Sequence, residues 1–260
     1  MQLAKERLVV FDIGMHTGQD TNYYLRSGYK VIAAEANPIL AAENEKKFSE
    51  AIDSGQLVIL NKGISNTKGT LPFYINLSVS EWSSFDKTLG TRRGRFELRD
   101  IPCITIQDMI AAFGLPYYIK VDIEGYDFYV VDGLTRESKP AYFSCELTAD
   151  CSLIDKLYEK GYRHFKLINQ ADNFQPIDLD KEKKWWRPYY LHLRNGILLR
   201  VQNMLPIRYP YSSSGPFGEE AKGDWMDYET TRKLYHAFLT GGKGGNPINN
   251  RTWYDVHAKV

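Results

Sequence analysis

The sequence predicts an α/β protein, a mostly parallel sheet with helices on both faces, organised around a Rossmann-like nucleotide-binding half-unit. Three observations point there. Leu8 to Phe11 is a short apolar run of the kind that fills a buried parallel strand. Gly14 and Gly18 follow it, leading into a helix-compatible stretch over residues 19–27. Val31 to Ala34 is a second buried strand, and it ends on an acid, Glu35.

The chemistry gives the spacing its meaning. Glycines let the backbone approach a ligand, and the N-terminus of the next helix points free N–H groups at the same place. A carboxylate closing the second strand can accept hydrogen bonds from the hydroxyl pair of a ribose. A dinucleotide turn needs a second glycine where this chain has His16, and a phosphate loop needs Gly-Lys-Ser/Thr where Gly18 is followed by Gln19. Asp12, ahead of the turn, disfavours phosphate and suits a cationic, amino-acid-bearing ligand. S-adenosylmethionine fits: it carries ribose and adenine without a phosphate. The first candidate set is therefore Asp12, Gly14, His16 and Gly18 in the turn, Gln19 and Asp20 at the helix start, and Glu35, Ala36 and Asn37 after the second strand.

Further elements follow in order. Asn37 and Pro38 cap and open a solvated helix reaching Ala51. Gln56 to Asn61 reads as the third strand; Gly63 and Ile64 leave it and join the candidate cofactor set. Asn66 to Gly69 turns into a strand over Thr70 to Tyr74. Residues 75–103 read first as a solvated insertion, alternatively as a loop over the cofactor with Ser83 or Ser84 at its amino-acid end. Arg92, Arg93, Arg95 and Arg99 there could meet an acidic acceptor. Ile106 to Phe113 is a short helix, Tyr117 to Val121 the fourth strand, Gly125 to Gly133 a helix, Tyr142 to Glu146 the fifth strand, Asp150 to Lys160 a helix and Arg163 to Ile168 the sixth strand. Asp12, Glu35 and Asp122 should share the carboxyl edge of the sheet, where open α/β sheets bind ligands.

Two blocks carry a family resemblance. Asp12-Ile13-Gly14-x-His16-x-Gly18 with Glu35-Ala36-Asn37-Pro38 resembles the first motifs of class I S-adenosylmethionine-dependent methyltransferases. Lys120-Val121-Asp122-Ile123-Glu124-Gly125, continuing to Asp132-Gly133-Leu134, resembles the Lys-x-Asp-x-Glu-Gly signature of the FkbM methyltransferases. The resemblance covers residues 7–165. It implies a seven-stranded sheet, an S-adenosylmethionine cofactor and O-methylation of a sugar or natural-product hydroxyl. It makes residues 1–168 the cofactor-binding core, and leaves 169–260 to complete the sheet and supply lid and acceptor segments.

For catalysis the candidates are Asp122, Glu124 and His192. Asp122 reads as a general base or, with Glu146, as ligand to Mg2+ or another divalent cation. Glu124 reads alternatively as a helix cap or a partner of Lys120. Two rival classes stay open, an NAD-type enzyme and a non-catalytic protein on the same scaffold.

The formal charge of +1 makes no electrostatic case for nucleic acid or an anionic membrane, and no apolar run is long enough to span a bilayer. Cys103, Cys145 and Cys151 read as free thiols of a reducing compartment, and residues 1–7 show no signal sequence, so a cytoplasmic location is expected. The expected partner is a small-molecule or saccharide acceptor. The oligomeric state is open, a homodimer included. Toward the C-terminus, Ile197 to Val201 reads as a strand, Pro206 to Phe217 as a loop, and Tyr228 to Leu239 as a helix broken by Gly241 to Gly245.

Overall fold

The computed structural model describes residues 8–182, 184, 186–201, 213–240 and 253–260. The chain forms two compact units, Met1–Ala141 and Tyr142–Val260.

In the first unit, β1 (Val9–Ile13) pairs in parallel with β2 (Lys30–Ala34) and with β7 (Tyr118–Val121), and β2 pairs in parallel with β3 (Leu57–Leu60). These strands read as apolar runs because both faces are covered: Val10, Phe11, Ile13, Val31, Ile32, Ile119 and Val121 are all buried. Helix α1 (Gln19–Arg26) crosses between β1 and β2. The α2 helix (Pro38–Lys47) starts where the side chain of Asn37 accepts from the Ile39 amide, with Pro38 in the first turn, and α3 (Ser49–Asp53) follows. Beyond β3, β4 (Gly63–Ile64), β5 (Gly69–Asn76) and β6 (Phe96–Ile104) form a separate sheet in the order β4-β6-β5, with the short α4 (Lys87–Gly90) between the last two. A capping box on Thr105 and Asp108 starts α5 (Ile106–Phe113), and α6 (Asp127–Gly133) follows β7.

Both ends of the 75–103 stretch are therefore ordered as strand. Gly69–Asn76 and Phe96–Cys103 run antiparallel in continuous register, over a core of Phe73, Ile75, Phe85, Ile101 and Cys103. The strand signal is masked because Glu97, Arg99 and Asp100 stud β6. The arginines divide: Arg99 pairs with Glu97 at 2.5 Å, while Arg92 and Arg93 share the Trp82 ring at 5.5 and 4.9 Å.

In the second unit, β11 (Tyr254–Lys259) pairs antiparallel with both β8 (Tyr142–Glu146) and β9 (His164–Asn169), and β9 pairs antiparallel with β10 (Gln175–Pro176). The seven-stranded expectation therefore differs in count, with four sheet strands in each unit outside the β4-β6-β5 sheet. A two-residue strand such as β10, set by left-handed turns at Asn173 and Phe174, leaves no periodic trace. Helices α7 (Ser152–Glu159), α8 (Leu179–Glu182), α9 (Arg187–Val201) and α10 (Tyr228–Thr240) complete the unit. The strand expected at Ile197–Val201 is the last part of α9; a short apolar run does not separate the two states. Residues 206–212 of the expected loop, and the glycine break at 241–245, lie outside the described residues. The three cysteines are buried and free. Among the described residues, no helix is long and apolar enough to cross a membrane.

Candidate active site

Register sets the site. Ile13 pairs with both Ala34 and Val121, so Gly14, Glu35 and Asp122 leave the parallel sheet at one level. The turn after β1 crosses the turn after β7 very closely. A Cβ on Gly14 would fall 1.9 Å from the Asp122 carbonyl oxygen, and the residue has φ +86°. Glycine is required there on both counts. Gly18 is similar, with φ +79° and the Phe48 ring 2.5 Å from a Cβ position.

Glu35 is organised by the turn it faces. Its Oε2 accepts from the His16 amide at 2.7 Å and its Oε1 from the Asn37 amide at 2.8 Å. Asn61 donates to the Glu35 carbonyl at 2.9 Å. Each carboxylate oxygen keeps a further lone pair. Burial pushes the carboxyl up to about 7, against the pull of the two amides. His16 itself has φ +49°. Asn44 donates to its carbonyl at 2.5 Å, its Nε2 lies 2.8 Å from Ser80 Oγ, and burial lowers its imidazole pKa.

Beneath the turn lies a charge cluster that the sequence reading did not assemble. Lys120 is 3% exposed, and its Nζ is 3.5 Å from Asp12, 3.6 Å from Asp20 and 3.6 Å from Asp122. It also donates to the Gly14 carbonyl at 3.0 Å. Burial disfavours the ammonium, but the carboxylates outweigh it and hold its pKa well above the ordinary value. Asp12 is fully buried and accepts from Thr21 at 2.6 Å. The reading of Glu124 as a partner of Lys120 is replaced: its ion partner is Arg92, at 4.0 Å. The signal for the cluster was present, since a lysine between Ile119 and Val121 in a buried strand has to find counter-charges.

Asp122 and Glu124 occupy the turn between β7 and α6. The Asp122 side chain is 45% exposed. Glu124 has φ +38°, and Ser84 Oγ donates to its carbonyl at 2.7 Å. Burial, then repulsion from Asp122, pushes the Glu124 carboxyl up to about 7. The helix-cap reading also fails, since the cap of α6 is Tyr126 and no side chain bonds it. The first residue of that helix, Asp127, was missed; it is buried and pushed up to about 7 by burial and by Asp122.

The remaining predicted residues are placed as follows. Asn37 both caps α2 and donates to Glu35. Gln19 opens α1 and accepts from Thr17 at 2.6 Å. Ala36 packs against the core of the smaller sheet. Gly63 and Ile64 form β4, with the Phe85 ring against Gly63. Ser84 is buried and braces Glu124. Glu146 ends β8 and His192 is exposed on α9, both in the second unit. Among the described residues no group of three or more His, Cys, Asp or Glu is gathered that could hold a metal ion.

A family model described as the methyltransferase FkbM domain matches residues 12–163, more than half of the sequence. The chain belongs to the FkbM methyltransferase family. Solved structures similar to it include an FkbM methyltransferase from Methylobacillus flagellatus KT, 18% identical, with a TM-score of 0.39. That match covers 54% of this chain and 33% of the other, so the chain spans about a third of that protein's length. A putative sarcosine dimethylglycine methyltransferase from Galdieria sulphuraria is 10% identical over 99% of this chain and 82% of its own, with a TM-score of 0.44. An O-methyltransferase from Bacillus cereus, in complex with SAH, is 9% identical over 100% of this chain and 78% of its own, with a TM-score of 0.32. No curated protein matches the chain.

Proposed function

We propose that this FkbM-family chain is an S-adenosylmethionine-dependent O-methyltransferase acting on a hydroxyl of a small-molecule or saccharide acceptor. The observation that carries the proposal is the Glu35 carboxylate, gripped by the amides of His16 and Asn37 beside a glycine turn too tight for any side chain at Gly14. That arrangement fits a ribose: both carboxylate oxygens are pre-oriented and each can accept one more hydrogen bond. When bound, S-adenosylmethionine supplies a methyl group already activated on a sulfonium.

The chain's own residues do the rest. Glu35 binds and orients the ribose end. Lys120 fixes Asp12, Asp20 and Asp122 in one electrostatic unit and anchors the Gly14 carbonyl, so the turn is rigid before ligand arrives. A hydroxyl acceptor has to lose its proton as it is alkylated. Glu124 takes it, because its carboxyl titrates near neutral pH and Ser84 holds its backbone. Asp122, half in water beside it, positions the acceptor.

Calorimetric titration with S-adenosylhomocysteine tests the cofactor half of the proposal. Wild type binds, Glu35→Gln loses affinity, and NAD gives no heat. Heat with NAD, or unchanged affinity in Glu35→Gln, overturns it. Transfer of a radiolabelled methyl group to a mixed saccharide and natural-product pool, lost in Glu124→Gln with binding intact, tests the chemistry.

A further inference from the structure

We infer that the outer face of α9, in the second unit, docks on an anionic lipid bilayer surface. The inner face of this helix is firmly held. Leu191 and Asn195 are buried, Asn195 donates to the Ala171 carbonyl at 2.8 Å, Arg194 pairs with Asp172 at 3.0 Å, and Arg187 bonds the same carboxylate. The outer face carries Tyr189, Leu193 and Ile197, 59%, 68% and 53% exposed, flanked by Trp186 and Tyr190 at 43% and 51%. The spacing of residues 186, 189, 190, 193 and 197 makes one continuous stripe along the helix. An ordinary surface helix turns such a stripe inward. This one turns it outward, while its inner face is held largely by the polar contacts of Arg187, Arg194 and Asn195.

Charge selects the occupant. From Lys183 to Phe217 the sequence has six Lys or Arg residues and no Asp or Glu, although the whole chain carries only +1; two of the six, Arg187 and Arg194, are taken up by Asp172. On the described residues, Lys184 and Arg200 are exposed beside the stripe, with Lys184 Nζ 5.7 Å from the Trp186 ring and that ring packed edge-on against Tyr190. Trp and Tyr with adjacent aliphatic residues and lysine or arginine is the composition that settles at the headgroup level of a bilayer, the helix lying in the plane. Cations beside it are attracted by an anionic leaflet. A second copy of the chain fits less well, because a two-fold contact through this face would bring two basic stretches together. The balanced total charge, which argues against a membrane for the chain as a whole, conceals this local asymmetry.

The test is sedimentation of the full chain with vesicles of phosphatidylcholine alone, and with vesicles of equal parts phosphatidylcholine and phosphatidylglycerol. The wild type should pellet with the mixed vesicles only and be released by high salt. Leu193→Glu with Ile197→Glu should weaken binding roughly tenfold or more, since two inserted apolar side chains are replaced by acids. Lys184→Glu with Arg200→Glu should do the same through charge. Thermal midpoints close to wild type show that the variants are folded. Equal binding to both vesicle types, or to neither, overturns the inference. So does a wild-type dimer by light scattering that becomes monomeric in the Leu193→Glu, Ile197→Glu variant without any vesicle binding. None of these readouts depends on methyl transfer.

Discussion

Lys120 in the first unit and Lys166 in the second are each 3% exposed, and their surroundings are opposite. Lys120 lies among three carboxylates and is held charged. Lys166 donates to the carbonyls of Ala221 at 2.6 Å and Gly218 at 3.4 Å and lies over the face of Trp225 at 4.4 Å, and burial pushes its pKa down against the weaker pull of Glu219 and Asp224. The first arrangement is a preorganised field at the ends of parallel strands. The second is a latch that ties the 218–225 segment to β9. Of the two buried lysines, Lys120 is the one in close ion pairs at the end of parallel strands.

Truncating the two lysines should separate these roles. Lys120→Met leaves three acids without their cation and should cost about 3–5 kcal/mol in urea unfolding. Lys166→Met leaves two carbonyls short of a donor and should cost about 1–3 kcal/mol. Equal losses would remove the distinction. A next-largest effect is expected at the crossing of the two turns. Gly14→Ala places a methyl against the Asp122 carbonyl at φ +86°, and should lower stability by about 1–3 kcal/mol and abolish homocysteine-compound binding together. A variant that keeps full affinity would show that the turn is less rigid than the lysine cluster implies.

The units should also titrate in opposite directions. In the first, the carboxyls of Glu35, Glu124 and Asp127 are raised to about 7 in the folded state. The native state then binds more protons than the unfolded chain above the ordinary carboxylate range, and their contribution to stability is lost as pH rises through 7. In the second, His257 is buried and lowered to about 3 by burial and by Lys166. There the unfolded chain binds the extra proton, so stability is present above 6.5 and lost as pH falls toward 3. Glu35→Gln should flatten the neutral limb of a denaturation–pH profile, and His257→Leu the acid limb; a variant that alters the other limb would break the assignment. The smallest effect is kinetic. At saturating cofactor, kcat should rise with pH to a plateau above about 7 as Glu124 ionises. Glu124→Gln should leave a low, flat profile.

The half-unit was legible because its information is local. Val10, Phe11, Val31 and Ile32 announce strands by composition, and Gly14 and Gly18 announce a turn. Asn37-Pro38 opens α2 as its residue types require. Where pattern and environment diverge, reading failed. The charged outer positions of β6 looked like a solvated loop, and the apolar end of α9 looked like a strand although its outer side chains face water. Asp122, Glu124, Ser84 and Arg92 could be nominated individually, but not which of them meet.

The sequence by itself determined the parallel half-unit, the glycine turn and the methyltransferase family, because hydrophobic periodicity and short motifs act within a few residues of themselves. Only the tertiary structure decided that Lys120 joins Asp12, Asp20 and Asp122, that Glu124 answers Arg92, and that Glu35 is held by His16. Each of those contacts depends on parallel register and on turns crossing at van der Waals distance, and a charge in a sequence has no partner until folding removes it from water.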